Sequence, residues 1–242
     1  MSYDKSLSIF SPSGTVSQVD YAYEAAKKGG LSVGLVGKDY VIIAAEKKSV
    51  PKLQDSRTVK KISKVDSHIF MSFAGIIADS RYLVDYARLE CQSYRYNLDS
   101  VPTIDYLVKQ IAFKQQDFTQ RTSVRPFGLS VLVGGFDKNN NPTLYSSEPS
   151  GFSSQWKAIA VGKNAEKVNE FLESKYQDDI EYEQGLSMVL ESMLEYVESG
   201  SKNVEIAVMY KDKEMETIAD EEIDRRSETI EQEKKKREKE KK

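Results

Sequence analysis

Gly30-Leu31-Ser32-Val33-Gly34-Leu35, then Lys38-Asp39, then Val41-Ile42-Ile43-Ala44-Ala45 is the stretch on which the fold turns. Leu31, Val33 and Leu35 alternate with small residues, the second arm is an unbroken apolar run, and the Lys-Asp pair between them is turn chemistry. This spacing predicts a β-hairpin seated in a core.

Beyond a basic segment around Lys47, Lys48 and Lys52, Ile69-Phe70-Met71-Ser72-Phe73 reads as another short buried strand, closed by Ala74-Gly75. Leu83, Tyr86, Ala87, Glu90, Cys91 and Tyr94 then fall at helical spacing, and after Val101-Pro102 so do Ile104, Leu107, Val108, Ile111, Ala112 and Phe118. Past Arg125-Pro126-Phe127-Gly128 the pattern returns to strands, Leu129 to Val133, Thr143 to Ser146 and Trp156 to Val161, with Asn139-Asn140-Asn141-Pro142 as a hairpin tip. Val168, Phe171, Leu172 and Tyr176, then Leu186, Val189, Leu190, Met193, Leu194 and Val197, predict a second helix pair that ends at Ser199-Gly200. Val204 to Met209 and Met215 to Ile218 read as a final hairpin. Strands, helix pair, strands, helix pair, strands is a segregated order. It predicts an α+β domain with helices layered on mostly antiparallel sheets, since a parallel sheet needs strictly alternating βα units.

The predicted domain spans residues 30–220 without a linker. Before it, residues 1–29 hold a loop rich in Ser11, Pro12, Ser13 and Gly14, then a short helix marked by Val19, Ala22 and Ala26 and stopped by Gly29-Gly30. Asp4, Lys5, Asp20 and Glu24 interrupt this segment, so it is not expected to be a secretory signal. After the domain, residues 221–242 are dominated by charge. Glu231 with Lys235, Glu233 with Arg237 and Glu238 with Lys242 have the i,i+4 spacing of an exposed, solvated helix.

A chain of 242 residues, 39% hydrophobic and 30% charged, can bury a sizeable core and offers no long apolar run for a membrane span. Cys91 is the single cysteine, which excludes an internal disulfide and fits a reducing compartment, cytosol or nucleus. It lies on an apolar helical stripe and is expected to be a buried thiol. His68, the sole histidine, is expected to be structural, and Gly134-Gly135 lacks the helix and lysine of a phosphate loop. A net charge of −3 gives no global attraction to nucleic acid.

Tyr3-Asp4, then Phe10-Ser11-Pro12-x-Gly14, then Gln18-Val19-x-Tyr21-Ala22 resembles the opening of alpha-type subunits of the proteasome core particle, and the resemblance continues to about Ile218. Lys47-Lys48-Ser49-Val50, Lys52-Leu53-Gln54-Asp55 and Cys91-Gln92-Ser93 are most similar to the fourth alpha position of the eukaryotic ring. Lys5 stands where that family usually has arginine and Asp20 where it usually has glutamate; lysine keeps the charge but not the bidentate fork. The resemblance implies the four-layer αββα sandwich of the N-terminal nucleophile hydrolases.

Catalytic members of that fold use an N-terminal threonine whose own amine accepts the hydroxyl proton, beside a lysine and a carboxylate. The position resembling the threonine is Gly30; Glu46 stands where the acid is carried and Lys61 where the lysine is. The resemblance therefore implies no catalytic residue, no cofactor and no metal. It implies a structural and gating subunit of a heteroheptameric alpha ring, stacked on beta-ring subunits and passing polypeptide substrates in ubiquitin-dependent degradation. Tyr3, Asp4, Pro12 and Tyr21 would act in the gate, and Lys61 would receive the terminal carboxylate of an activator's C-terminal tail. Two other readings stand beside this one. Gly14-Thr15 matches the dipeptide at which catalytic precursors are cut, and Lys234-Lys235-Lys236-Arg237 could serve a basic-tail binding module for an import receptor, with direct nucleic-acid binding not expected.

Overall fold

The computed structural model describes residues 8–47, 53, 60–197 and 203–240, with backbone alone for 231 and 233–240. Helix α1 (Ser17–Lys27) leads into the hairpin of β1 (Ser32–Val36) and β2 (Tyr40–Glu46), as its spacing predicts. β3 (Ile62–Asp66) and β4 (Ile69–Gly75) follow, then α2 (Ile77–Leu98) and α3 (Ile104–Gln120). β5 (Leu129–Phe136), β6 (Pro142–Ser147), β7 (Ser153–Trp156) and β8 (Ala158–Val161) precede α4 (Ala165–Lys175) and α5 (Tyr182–Leu194). β9 (Val204–Tyr210), a two-residue β10 (Glu216–Thr217) and α6 (Asp220–Glu240) close the chain.

Two five-stranded sheets result, ordered β10-β9-β2-β1-β8 and β3-β4-β5-β6-β7, with antiparallel pairing throughout. Their layering explains the apolar runs. Successive strand residues point to opposite faces, so Val41, Ile43 and Ala45 enter the core between the sheets while Ile42 and Ala44 meet the residues of α4 and α5. β4 does the same: Phe70 faces the inter-sheet core, whereas Ile69, Met71 and Phe73 pack with α2 and α3. A strand covered on both faces must be apolar or, like Ser72 beside Ser32, hydrogen-bonded at every position, and each buried Ile or Phe contributes roughly 1.5–3 kcal/mol relative to exposure. The order of layers is thus helix pair, sheet, sheet, helix pair, the αββα sandwich.

The structure corrects several sequence expectations. The segment read as one strand from Trp156 to Val161 is two strands in different sheets: β7 pairs with β6, and β8 pairs with β1. The crossing is at Lys157, whose carbonyl accepts from Val36 N at 2.8 Å, while the Trp156 indole N–H stays with Ser146 Oγ at 2.9 Å. Only Lys157 separates Trp156 from the apolar run that starts at Ala158, and no Gly or Pro marks a turn there, so the local pattern hides the crossing. β3 was not foreseen, because Ser63 and Lys64 break its apolar pattern and its register shifts between Lys64 and Asp66. α2 begins at Ile77, a turn and a half before its first periodic residue, Leu83. The final hairpin forms between β9 and β10 as expected, but its second arm is paired only at Glu216–Thr217.

The charged tail is helical, but its first turns are not a solvated helix. Ile223 and Ser227 are buried, and Arg226 pairs with Glu183 of α5 at 2.6 Å and with Glu222 at 2.8 Å. The three i,i+4 pairs expected further along lie outside the described side chains. Elsewhere Cys91 is fully buried, and burial pushes its thiol up to about 12. His68 Nε2 is 2.8 Å from the Pro102 carbonyl; a carbonyl only accepts, so the ring donates there and ties β4 to the α2–α3 link. Among the described residues, no helix is long and apolar enough to cross a membrane.

Candidate functional site

Three elements converge at one end of the sandwich. Gly30 lies just before β1, Glu46 ends β2, and Lys61 immediately precedes β3 in the opposite sheet. The hairpin register Ser32↔Ala45 places Glu46 beside the start of β1. Its backbone N–H donates to Leu31 O at 2.7 Å, and its Oε2 accepts from Leu31 N at 2.8 Å. The carboxylate thus closes the ladder where the strand runs out of partners. Lys61 reaches the same spot from across the core: its Nζ donates to Gly30 O at 3.5 Å and stands 5.4 Å from the centre of the Phe73 ring. Lys61 N donates to Glu205 Oε2 of β9 at 2.9 Å, which pins the two sheets together beneath it. The lysine is only 2% exposed. Burying an ammonium without compensation costs several kcal/mol, so the carbonyl, the ring face and the nearby carboxylate chemistry are what allow it there.

Gly30 completes the arrangement by having no side chain. A Cβ there would lie 2.7 Å from Lys61 Nζ and 3.2 Å from Glu46 Oε2. Both side chains therefore converge on the place where a side chain of residue 30 would stand. An acid–base pair around a hydroxyl at that point would be hydrolytic equipment, but residue 30 offers no hydroxyl. Its nitrogen is a peptide nitrogen, acylated by Gly29, and so cannot take up a proton. Ser32, the nearest hydroxyl in β1, is fully buried and spends its proton on Phe73 O at 3.1 Å.

The chain enters this point under tight constraint. A Cβ at Gly29 would fall 2.0 Å from Gly75 N, and Gly29 O accepts from Lys163 N at 2.9 Å. Ahead of it α1 buries Ala22 and Ala26 and packs on the ends of β4 and β5. The segment ahead of α1 is held quite differently. Ser11 N donates to Thr15 O at 2.7 Å and Gly14 N to Ser11 O at 2.9 Å, closing a turn around Pro12, which is exposed. Phe10 is 70% exposed and Tyr21, on α1, 53%. Tyr3 and Asp4 lie outside the described residues, as does Lys5. Thr15 accepts or donates within the same turn, 3.1 Å from Ser11 Oγ, and leads into α1 rather than into a strand.

The resemblance matches Gly30, Glu46 and Lys61 to the positions of the family's threonine, acid and lysine, and in the structure Glu46 and Lys61 converge on Gly30. Sequence reading missed Glu205 and Tyr23, whose partners are 144 and 125 residues away, so no local signal could mark them.

Two antiparallel sheets between helix pairs, with an acid and a lysine aimed at the entry to the first strand, define a domain of the N-terminal-nucleophile-hydrolase type. The chain belongs to the proteasome subunit family, alpha type: residues 26–209 match the proteasome subunit model, and residues 3–25 match the N-terminal signature of the family's A-type members. It is 45% identical to the proteasome alpha type-7 subunit of Dictyostelium discoideum, covering 96% of this chain and 92% of that one. Against the alpha type-7 subunit of Trypanosoma brucei brucei identity is 47% over 88% and 86% of the two chains. Alpha type-7-A of Arabidopsis thaliana shares 46% over 92% and 89%.

Proposed function

We propose that this chain is a non-catalytic structural and gating subunit of a proteasome alpha ring. In this reading it assembles with other alpha subunits into a heteroheptamer on a beta ring and controls polypeptide entry to the proteolytic chamber in ubiquitin-dependent degradation, in cytoplasm and nucleus. The observation that carries it is Gly30. Glu46 and Lys61 are held around it, yet the residue supplies neither hydroxyl nor free amine, and the chain before it is packed down as α1 instead of being absent.

Gating falls to the segment ahead of α1, with Tyr3, Asp4 and Pro12, together with Tyr21 on α1. The segment's residues 8–15, a local turn with Ile9, Phe10 and Pro12 exposed, can be moved between arrangements by a modest differential contact energy. Lys61 is the receiving cation for an activator's terminal carboxylate. Its contact to Gly30 O, at 3.5 Å, is with a neutral carbonyl, and a terminal carboxylate is a charged and therefore stronger acceptor for an ammonium.

The test uses reconstituted particles in which the segment through Pro12 is deleted or Lys61 is changed to Ala. Deletion raises basal peptide hydrolysis, and Lys61→Ala weakens activator-stimulated hydrolysis; unchanged rates in both would sink the gating and docking roles. Intact mass separates the self-processing alternative, since loss of the segment before Thr15 would mean that a terminal threonine is exposed after all.

A further inference from the structure

α1 is tied to the sandwich at its end by Gly29, and also midway along its length. The Tyr23 hydroxyl donates to Glu148 Oε2 at 2.6 Å and lies 2.9 Å from Ser150 Oγ. The donor–acceptor distance is that of a hydroxyl on a carboxylate. Burial and Glu148 push the Tyr23 hydroxyl up to about 12, so it keeps its proton and remains a donor at neutral pH.

The receiving turn, between β6 and β7, is itself fixed. Glu148 N donates to Phe152 O at 2.9 Å, Gly151 N to Glu148 O at 2.8 Å, and Phe152 N to Ser150 Oγ at 3.2 Å. Gly151, at φ +84°, sits so close to α3 that a Cβ would be 2.6 Å from Ala112 O and from Gln116 Cβ. The path therefore runs from the α3 layer through a rigid turn to one side chain of α1. A helix advances 100° per residue, so Tyr21 and Tyr23 are about 200° apart around the axis. Tyr23 is held inward, and Tyr21 is consequently presented to solvent.

We propose that Tyr23 is a positioning residue: by docking on the Glu148–Ser150 turn it fixes the rotation of α1 and thereby where Tyr21 and residues 8–15 stand. Its consequence for access to the chamber rests on the gating reading above. The same tie makes the α3 layer a lever on that segment, because a displacement of the β6–β7 turn is passed to α1 through the contacts of one side chain, Tyr23, with Glu148 and Ser150.

The experiment uses assembled particles carrying Tyr23→Phe, Glu148→Ala, the double change, or Glu148→Gln, which keeps an acceptor. Hydrogen exchange over residues 8–27 should quicken about three- to tenfold in Tyr23→Phe, the loss expected for one hydrogen bond to a charged group at a half-exposed site. Exchange in β1 and β2 should stay put, the double change should do no more than either single one, and Glu148→Gln should remain near the parent. Basal peptide hydrolysis should shift at least about twofold in Tyr23→Phe. An unaltered exchange pattern, or acceleration spread through the whole sandwich, overturns the positioning role. A particle lacking the segment through Pro12 is the separating control. If that deletion raises hydrolysis while Tyr23→Phe changes nothing, Tyr23 has no positioning role and the gating reading stands; if the deletion changes nothing, the gating reading fails and takes Tyr23's effect on access with it.

Discussion

The entry to β1 and the segment ahead of α1 are parts of one continuous stretch, yet they are held in opposite ways. At Gly29 and Gly30 backbone meets backbone: Gly75 stands against one residue, Lys61 and Glu46 close on the other. From Ser8 to Thr15 the contacts are a local turn with Ile9 and Phe10 exposed. The contrast teaches how one fold serves two purposes. A sandwich that releases a chain end at β1 can do chemistry there; one whose chain runs back through a clamped helix turns the same place into a fixed base.

The contrast breaks most severely at Gly29. Gly29→Ala puts a methyl group inside the Gly75 backbone, which cannot yield as a side chain can, and should cost more than about 3 kcal/mol or abolish the folded chain; thermal unfolding reads it. Lys61→Ala should lower stability by about 2–4 kcal/mol through the cavity left in a closed site, with Lys61→Met recovering most of the loss because the stem volume returns. Equal stability of the two variants would show that the ammonium, not the packing, matters.

A smaller effect is expected under α1, where Asp79 accepts bidentately from Arg125 at 2.7 and 2.8 Å and from Gly128 N at 3.1 Å. Burial alone would raise this carboxyl, but the Arg125 and Gly128 hydrogen bonds overcome it and hold it below its ordinary value. Asp79→Asn should cost about 1–2 kcal/mol at pH 7, less than a fully buried pair, since Arg125 is half exposed and solvent screens it. With the folded value depressed, the carboxylate's contribution is complete above the unfolded value and fades as pH falls through the folded one. The gap between parent and variant should therefore begin to narrow below about pH 4, and close only below the depressed folded value, in unfolding titrations. The smallest stability effects belong to the exposed side: Pro12→Ala and Tyr21→Ala should change stability by less than about 0.5 kcal/mol while altering basal hydrolysis of the assembled particle. A large stability loss from either would mean that the segment is clamped like Gly29 and erase the contrast.

The strands that frame the core were legible because period and burial coincide in them. Leu31 to Leu35 alternates, Val41 to Ala45 is apolar throughout, and both stand where expected. The short helix before Gly29 was legible from its stop signal. Trp156 to Val161 was not, since nothing in a local pattern says which of two sheets each half joins. β3 was hidden for a related reason: its polar residues are satisfied by distant partners, as Lys64 is by Glu214 at 2.6 Å.

What the sequence by itself determined is chemical identity at fixed positions: glycine at 30, an acid at 46, a lysine at 61, and a segment of residues ahead of them. Those suffice to leave position 30 without a hydroxyl, because a missing hydroxyl cannot be supplied by folding. Only the tertiary structure decided that Lys61 turns inward on Gly30, that Glu205 anchors it, and that Tyr23 meets Glu148. These are contacts between residues more than a hundred positions apart or on opposite sheets, selected by the packing of layers rather than by any local preference of the chain.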